Sequence, residues 1–237
     1  MQPLKTLIST KKTIEEKIGY SFKNEKLFIQ IFTHKSYYNE NPELKTFHNE
    51  RLEFLGDAIL GLIVSELLFK LLPDVDEGVL SSHLANLVNA KFCLSYIQKL
   101  ELQEYLILGK GEAKSINKGR NTILADAFEA LIAGIYLDSN LDKAKKFFSE
   151  NFKEDVIRYI KNPIINYKAE LQDYSQKYHQ TLPQYKVVSE TGPAHERTFF
   201  MEVYIKGKLF GKGSGDSKKE SEQMAAKDAL KKIKEVK

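Results

Sequence analysis

From Thr13 to Ile157 the apolar residues recur three and four positions apart, the spacing of one face of an α-helix. Breaks fall at Gly19, Pro42, Pro73–Gly78 and Gly109–Gly119. This predicts an all-helical domain. After Lys161 the pattern changes. Tyr167, Leu171, Tyr174 and Tyr178 keep helical spacing, but Phe199, Met201, Val203 and Ile205 alternate with Phe200, Glu202 and Tyr204, a period of two that predicts a strand over Thr198–Ile205. Tyr185–Val188 and Lys208–Phe210 offer flanking strands, with turns at Gly192–Pro193 and Gly207. Ser217, with Glu220 three residues on, forms a capping box that opens a last helix, whose apolar face is Ala225, Ala226, Ala229, Leu230 and Ile233. The expected fold class is α+β in two domains: a helical domain over residues 1–160, a linker over 161–166 containing Pro163, and an α-β-β-β-α unit over 167–237.

Two helices carry acids where the pattern calls for apolar side chains. In NERLEFLGDAILGLIVSELLFKLL, about 100° of rotation per residue puts Glu50, Glu53 and Asp57 within one arc of roughly 60°. Leu52, Phe54, Leu55, Ala58, Ile59, Leu60 and Leu62 cover nearly every other direction, so this helix is expected to be buried almost all round. In ILADAFEALIAGIYL, Asp126 and Glu129 lie one turn apart among Leu124, Phe128, Leu131 and Ile132, and neither Lys nor Arg occurs between Arg120 and Lys143. Desolvation and mutual repulsion both oppose ionisation of such clusters unless a cation or shared protons offset the charge. Glu66 and Glu101, by contrast, read as ordinary solvated acids. An all-oxygen donor set favours Mg²⁺, Mn²⁺ or Ca²⁺ over zinc, and the Glu-x-x-His pairing of di-iron bundles is missing. Carboxylate-held Mg²⁺ can lower the pKa of a bound water and orient it for attack on a phosphate.

Charge adds a modest second clue. Residues 1–161 hold 22 basic and 22 acidic side chains and residues 162–237 hold 14 and 10, so the whole formal excess of +4 lies in the last third. A polyanionic partner there fits this asymmetry. The longest apolar run, near Leu60, is bracketed by Asp57 and Glu66, which excludes a membrane span. The opening MQPLKTLISTKKT lacks an apolar core followed by a small-residue cleavage site, so a cytoplasmic protein is expected. The single cysteine, Cys93, excludes an internal disulfide and reads as a buried, inert thiol among Phe92, Leu94 and Ile97.

Five ordered motifs resemble the bacterial ribonuclease III family: FTHKSY at Phe32–Tyr37, HNERLEFLGD at His48–Asp57, DEGVLS at Asp76–Ser81, LGKGE at Leu108–Glu112 and ILADAFEALIAGIYLD at Ile123–Asp138. The resemblance extends over essentially the whole chain. It implies a Mg²⁺-dependent endonuclease, with Mn²⁺ able to substitute, that acts as a homodimer through its N-terminal domain on double-stranded RNA. Glu53, Asp57, Asp126 and Glu129 match the family's metal ligands, Asp57 and Glu129 its catalytic acids, and Glu50 and Glu77 auxiliary acids. The implied products carry 5′-phosphate and 3′-hydroxyl ends with short 3′ overhangs, in the processing of ribosomal and messenger RNA precursors.

The C-terminal unit resembles a double-stranded-RNA-binding domain, which reads the A-form minor groove and phosphates more than base sequence. On that resemblance Gln172 and His195 meet successive minor grooves, and Lys218 and Lys219 meet phosphates. Two lysines in the first turn of a helix also oppose its macrodipole, a conflict that a docked phosphate resolves. Glu220 and Glu222 follow where many such domains continue with basic residues, which is expected to weaken the phosphate site. Two other classes stay open at this stage: a catalytically silent RNA-binding or ribosome-associated protein on the same fold, and a helical metal-storage or redox protein. A metal-dependent cleavage assay and an iron titration, respectively, discriminate them.

Overall fold

The computed structural model describes residues 2–44, 47–114, 119–163, 166–193 and 197–235. The chain divides into two compact units, Met1–Pro163 and Ile164–Lys237. In the first, the helices are α1 (Gln2–Ser9), α2 (Lys11–Ile18), α3 (Glu25–Ile31), α4 (Lys35–Glu40), α5 (Glu50–Leu71), α6 (Glu77–Leu87), α7 (Ala90–Lys99), α8 (Lys110–Lys114), α9 (Arg120–Asp138) and α10 (Leu141–Lys161). Several boundaries lack the Gly or Pro that marks a break in the sequence and are set by side-chain caps instead. His34, Asn89 and Asn140 accept hydrogen bonds from the first-turn N–H groups of α4, α7 and α10, satisfying donors that the helix itself cannot.

Helix α9 is the axis of this unit, with Leu124, Ala127, Phe128, Leu131, Ile132 and Ile135 all buried. Under it lies an aromatic cluster in which the Tyr96 ring stands 4.6 Å from Phe152 and 5.1 Å from Phe128. Helix α5 packs along α9, and the two backbones touch at Gly56. A Cβ added there would lie 1.9 Å from the Glu129 carbonyl oxygen, so only glycine permits this approach. The expectation that α5 is buried all round fails. Leu52, Ile59, Leu60, Ile63, Val64 and Leu68 face the core, but Phe54, Leu62 and Phe69 are 83 %, 51 % and 71 % exposed. Positions 54, 58, 62 and 69 share one side of the helix, which the single chain leaves uncovered.

In the second unit α11 (Tyr167–His179) precedes an antiparallel sheet of β1 (Gln184–Thr191), β2 (Thr198–Ile205) and β3 (Lys208–Gly215), in that spatial order, and α12 (Lys218–Glu235) closes the unit. Met201, Val203 and Ile205 point inward against Leu171, Ala225, Ala226, Ala229 and Leu230. The β2–β3 turn places Lys206 and Gly207 at φ 48° and 76°, the paired positive values of a tight hairpin. Strand β3 runs five residues beyond the Phe210 at which the sequence pattern ends. Its Gly211 and Gly213 sit so close to α12 that an added Cβ would lie 2.4 Å and 2.2 Å from that helix's backbone. The glycines serve helix–sheet contact and not a loop. The capping box is also altered: Ser217 Oγ accepts from Glu220 N–H at 3.2 Å, but the Glu220 carboxylate accepts from Asp216 N–H at 3.1 Å, one residue before the expected donor.

Gly56→Ala should therefore force α5 and α9 apart and cost about 2 kcal/mol or more. Urea unfolding measures it, and an unchanged midpoint would show that the helices can separate freely.

Candidate active site

The site is built where α5 and α9 touch. Glu53 and Asp57 come from α5 on either side of Gly56, and Asp126 and Glu129 come from α9. Phe128, between the last two, is fully buried and anchors α9. Burial raises Glu129 to about 7, with further contributions from the charges of Asp57, Asp126 and Glu53. Burial likewise raises Glu53, helped by Asp126, Glu50 and Asp57, and it raises Asp126, helped by Glu50. The four acids of the two helices thus lie within one another's fields, on a partly desolvated surface.

Glu50 behaves differently. Its carboxylate pairs with Lys35 Nζ at 2.5 Å, which holds it below the usual carboxylate range. His48 Nδ1 lies 3.7 Å from its other oxygen. Lys35 was not singled out by sequence, because periodicity cannot show that α4 delivers a cation to the start of α5. The local fold shows how it does so. His34 N–H donates to the Ile107 carbonyl at 3.0 Å, Ser36 Oγ accepts from Gly109 N–H at 2.9 Å, and Glu40 accepts from Lys110 and Gly111 N–H. The segments FTHKSY and LGKGE therefore hold each other and fix the start of α4 beside the acids. Glu77 is exposed in the first turn of α6, accepts from Ser81 Oγ at 3.1 Å, and is not among the charges that shift Glu53, Asp126 or Glu129. Glu66 pairs with Lys70 and Lys145, and Glu101 with Lys17, as solvated acids should. Cys93 is fully buried, its thiol pushed far up by burial, and it lies against Glu129.

Among the described residues no group of three or more His, Cys, Asp or Glu side chains converges closely enough to cage a metal ion. The donor set still fits a hard divalent cation. Mg²⁺ keeps several waters and is commonly held by one or two carboxylates plus substrate phosphate oxygens, so a closed protein cage is not required. Four acids with three raised pKa values are also a surplus of negative charge that such a cation would relieve.

The second unit presents a separate candidate surface. Gln172 is exposed on α11, and Lys218 and Lys219 are exposed in the first turn of α12, with Lys218 Nζ 5.7 Å from the Phe199 ring centroid. His195 lies outside the described residues. Glu220 and Glu222 are committed within the unit: the first caps Asp216 N–H, and the second pairs with Lys168 of α11 at 2.5 Å. Both acids that follow the two lysines thus have partners within the unit.

Comparison with known proteins identifies the family of each unit. Residues 24–156 match the family model described as ribonuclease-III-like, and residues 167–233 match the double-stranded RNA binding motif. Ribonuclease 3 of Protochlamydia amoebophila is 46% identical over 98% of this chain and 96% of its own length. The chain belongs to the ribonuclease III family. Ribonuclease 3 of Leptospira interrogans is 42% identical, over 93% of this chain and 89% of its own length. A nuclease domain of ribonuclease III from Campylobacter jejuni superimposes with a TM-score of 0.53 at 37% identity, covering 59% of this chain and 96% of that one. The chain is accordingly an endoribonuclease whose second unit carries a motif for double-stranded RNA. None of the described helices is long and apolar enough to cross a membrane.

The metal-free protein should show the strain of this site in its pH dependence. Glu129 rises from 4.5 to about 7 on folding, so its stabilising contribution is fully present below 4.5 and is lost as pH rises through about 7. Glu53 and Asp126 act in the same direction. In chelator the melting temperature should fall between pH about 5 and about 8. Glu129→Gln should flatten that slope and raise the melting temperature at the upper end by a few degrees. Equal slopes in the two proteins would show that Glu129 ionises without penalty.

Proposed function

We propose that the chain cleaves double-stranded RNA by Mg²⁺-dependent hydrolysis at Glu53, Asp57, Asp126 and Glu129, with Mn²⁺ able to substitute. Residues 1–160 form the nuclease, 161–166 the linker and 167–237 the RNA-holding module. One observation carries the reading: two helices in backbone contact place four carboxylates in one field, with Glu129 driven up to about 7. When bound, the divalent ion supplies an acidified water and charge neutralisation on the phosphate. The protein's part is to hold that ion's ligands. Asp57 and Glu129 lie at the crossing of α5 and α9 and are the acids for handling protons at the attacking water and the leaving oxygen. Glu50, neutralised by Lys35, and Glu77, on the neighbouring α6, are auxiliary acids. Hydrolysis in this sense leaves a 5′-phosphate and a 3′-hydroxyl.

The nuclease unit works as a homodimer through α5. Exposed apolar residues are common singly, but Phe54, Leu62 and Phe69 form a stripe along one helix. The related Campylobacter jejuni nuclease domain has a structurally flexible region involved in dimer formation. Two sites facing one duplex would cut both strands and leave short 3′ overhangs. Ribosomal and messenger RNA precursors in the cytoplasm are the substrates that the family suggests. Duplex is held by Gln172, His195, Lys218 and Lys219 of the second unit.

The direct test is a long RNA duplex incubated with and without Mg²⁺, followed by analysis of the ends. The wild type should cut only with the ion, and Glu129→Ala should slow cutting by roughly 10³-fold or more while keeping duplex affinity. Cutting by Glu129→Ala at near wild-type rate would remove this residue from the site. In sedimentation the wild type should be a dimer and Phe54→Glu a monomer. A monomeric wild type at micromolar concentration would sink the dimer.

Lys218→Ala with Lys219→Ala should weaken binding at low salt and lower the slope of log affinity against log salt by roughly 1 to 2, while the rate at saturating RNA stays near wild type. An unchanged salt slope with a collapsed maximal rate would show that these lysines do not anchor phosphates.

A further inference from the structure

Cys93 is the only cysteine of the chain, and its side chain on α7 is 0 % exposed. Its sulfur lies 3.5 Å from the Val88 carbonyl oxygen and 3.7 Å from Glu129 Oε1. A thiol has one proton and is a weak donor, so it serves one of these acceptors at a time. A carboxylate oxygen is a stronger acceptor than a peptide carbonyl, so Glu129 competes for the S–H at 3.7 Å against Val88 at 3.5 Å. Among the described residues this is the one hydrogen bond made by the Glu129 side chain. Replacing Cys93 with alanine or valine would take this donor away from the Glu129 carboxylate oxygen.

We infer that Cys93 is a positioning residue of the acid cluster: its thiol donates to Glu129 Oε1 from the core side, fixing the rotation of the carboxylate and leaving its second oxygen free to serve as a ligand. The inference rests on the reading of Glu129 as a metal-binding acid. Groups that orient a ligand from behind commonly change metal affinity when removed, even though they never touch the ion.

Two measurements on the full-length chain test it. The first is the S–H stretching band in the infrared, which belongs to Cys93 alone because there is no other thiol. The band should lie at lower frequency in the wild type than in Glu129→Ala. The second is calorimetric titration of the RNA-free protein with Mn²⁺. Cys93→Val, which is apolar and loses the donor, should raise the half-saturating concentration about threefold to tenfold, below or at the foot of the range for stronger orienting groups. Cys93→Ser, which keeps a donor, should stay close to the wild type. An S–H band that is the same with and without the Glu129 carboxylate overturns the contact, and Mn²⁺ affinity in a folded Cys93→Val equal to that of the wild type overturns the role. If the wild type itself neither binds Mn²⁺ nor cuts RNA with Mg²⁺, the metal reading falls and takes this inference with it. If the wild type does both and Cys93→Val matches it, only the positioning role falls.

Discussion

Where α5 crosses α9, the backbone of Gly56 rests on the backbone of Glu129, and this contact fixes the distance between two rows of carboxylates that would otherwise move apart. The apolar faces of the two helices supply the force. Each fully buried Phe, Leu or Ile contributes about 1.5–3 kcal/mol, and Phe128, Leu131, Ile132, Ile135, Leu60 and Ile63 are all buried near the crossing. Against this, holding one carboxyl at about 7 instead of 4.5 corresponds to roughly 3 kcal/mol before solvent screening reduces it. Burial of these apolar faces opposes that cost. The acids are held together by packing that has no chemical role of its own, and their surplus charge is the property a divalent cation would use.

The same balance explains what could be read from sequence. Acids inside apolar helical runs stand out because burying them is unfavourable, so Glu53, Asp57, Asp126 and Glu129 were visible one by one. The alternation in Thr198–Ile205 likewise delivered β2 residue for residue. Features that depend on a neighbour remote in sequence left no such trace. Lys35 meets Glu50 only because α4 is tied to the Ile107–Gly111 segment. The strand read over Lys208–Phe210 stopped short of Gly211 and Gly213, because only the arrival of α12 requires a missing side chain there. Breaks at His34, Asn89 and Asn140 were missed since a capping residue is recognised by the N–H groups it accepts from, and those are known only once the helix has formed. The burial of α5 was overestimated for a related reason. An apolar position says that water is unfavourable there, without saying which chain covers it.

In the second unit, the roles of the charged residues around Lys218 follow from their partners. Glu220 and Glu222 look in sequence like a dilution of positive charge, yet one caps the turn before α12 and the other clamps α11 to α12 through Lys168. Both carboxylates have partners inside the unit, while the two lysines remain exposed. The close seat of α12 on the glycines of β3 sets where those lysines stand relative to Phe199 on β2. A helix packed at this distance has little freedom to tilt, so the basic pair is carried on a rigid element and not on a loop.

Helix α5 has three demands placed on it at once. Its core side is pinned by Leu60, Ile63, Val64 and Leu68, its crossing with α9 carries Glu53 and Asp57, and its remaining side exposes Phe54, Leu62 and Phe69. Phe54 is next to Glu53 in sequence, and one residue of rotation is about 100°, so the uncovered apolar stripe borders the acid cluster directly. A second copy seated on that stripe would add its bulk beside the acids and remove water from their edge. Desolvation is already the largest influence on Glu53, Asp126 and Glu129. Covering the stripe would raise their need for a cation further, so that assembly of the subunits and affinity of the cluster for a divalent ion would be linked through one helix, with neither requiring a change in the fold.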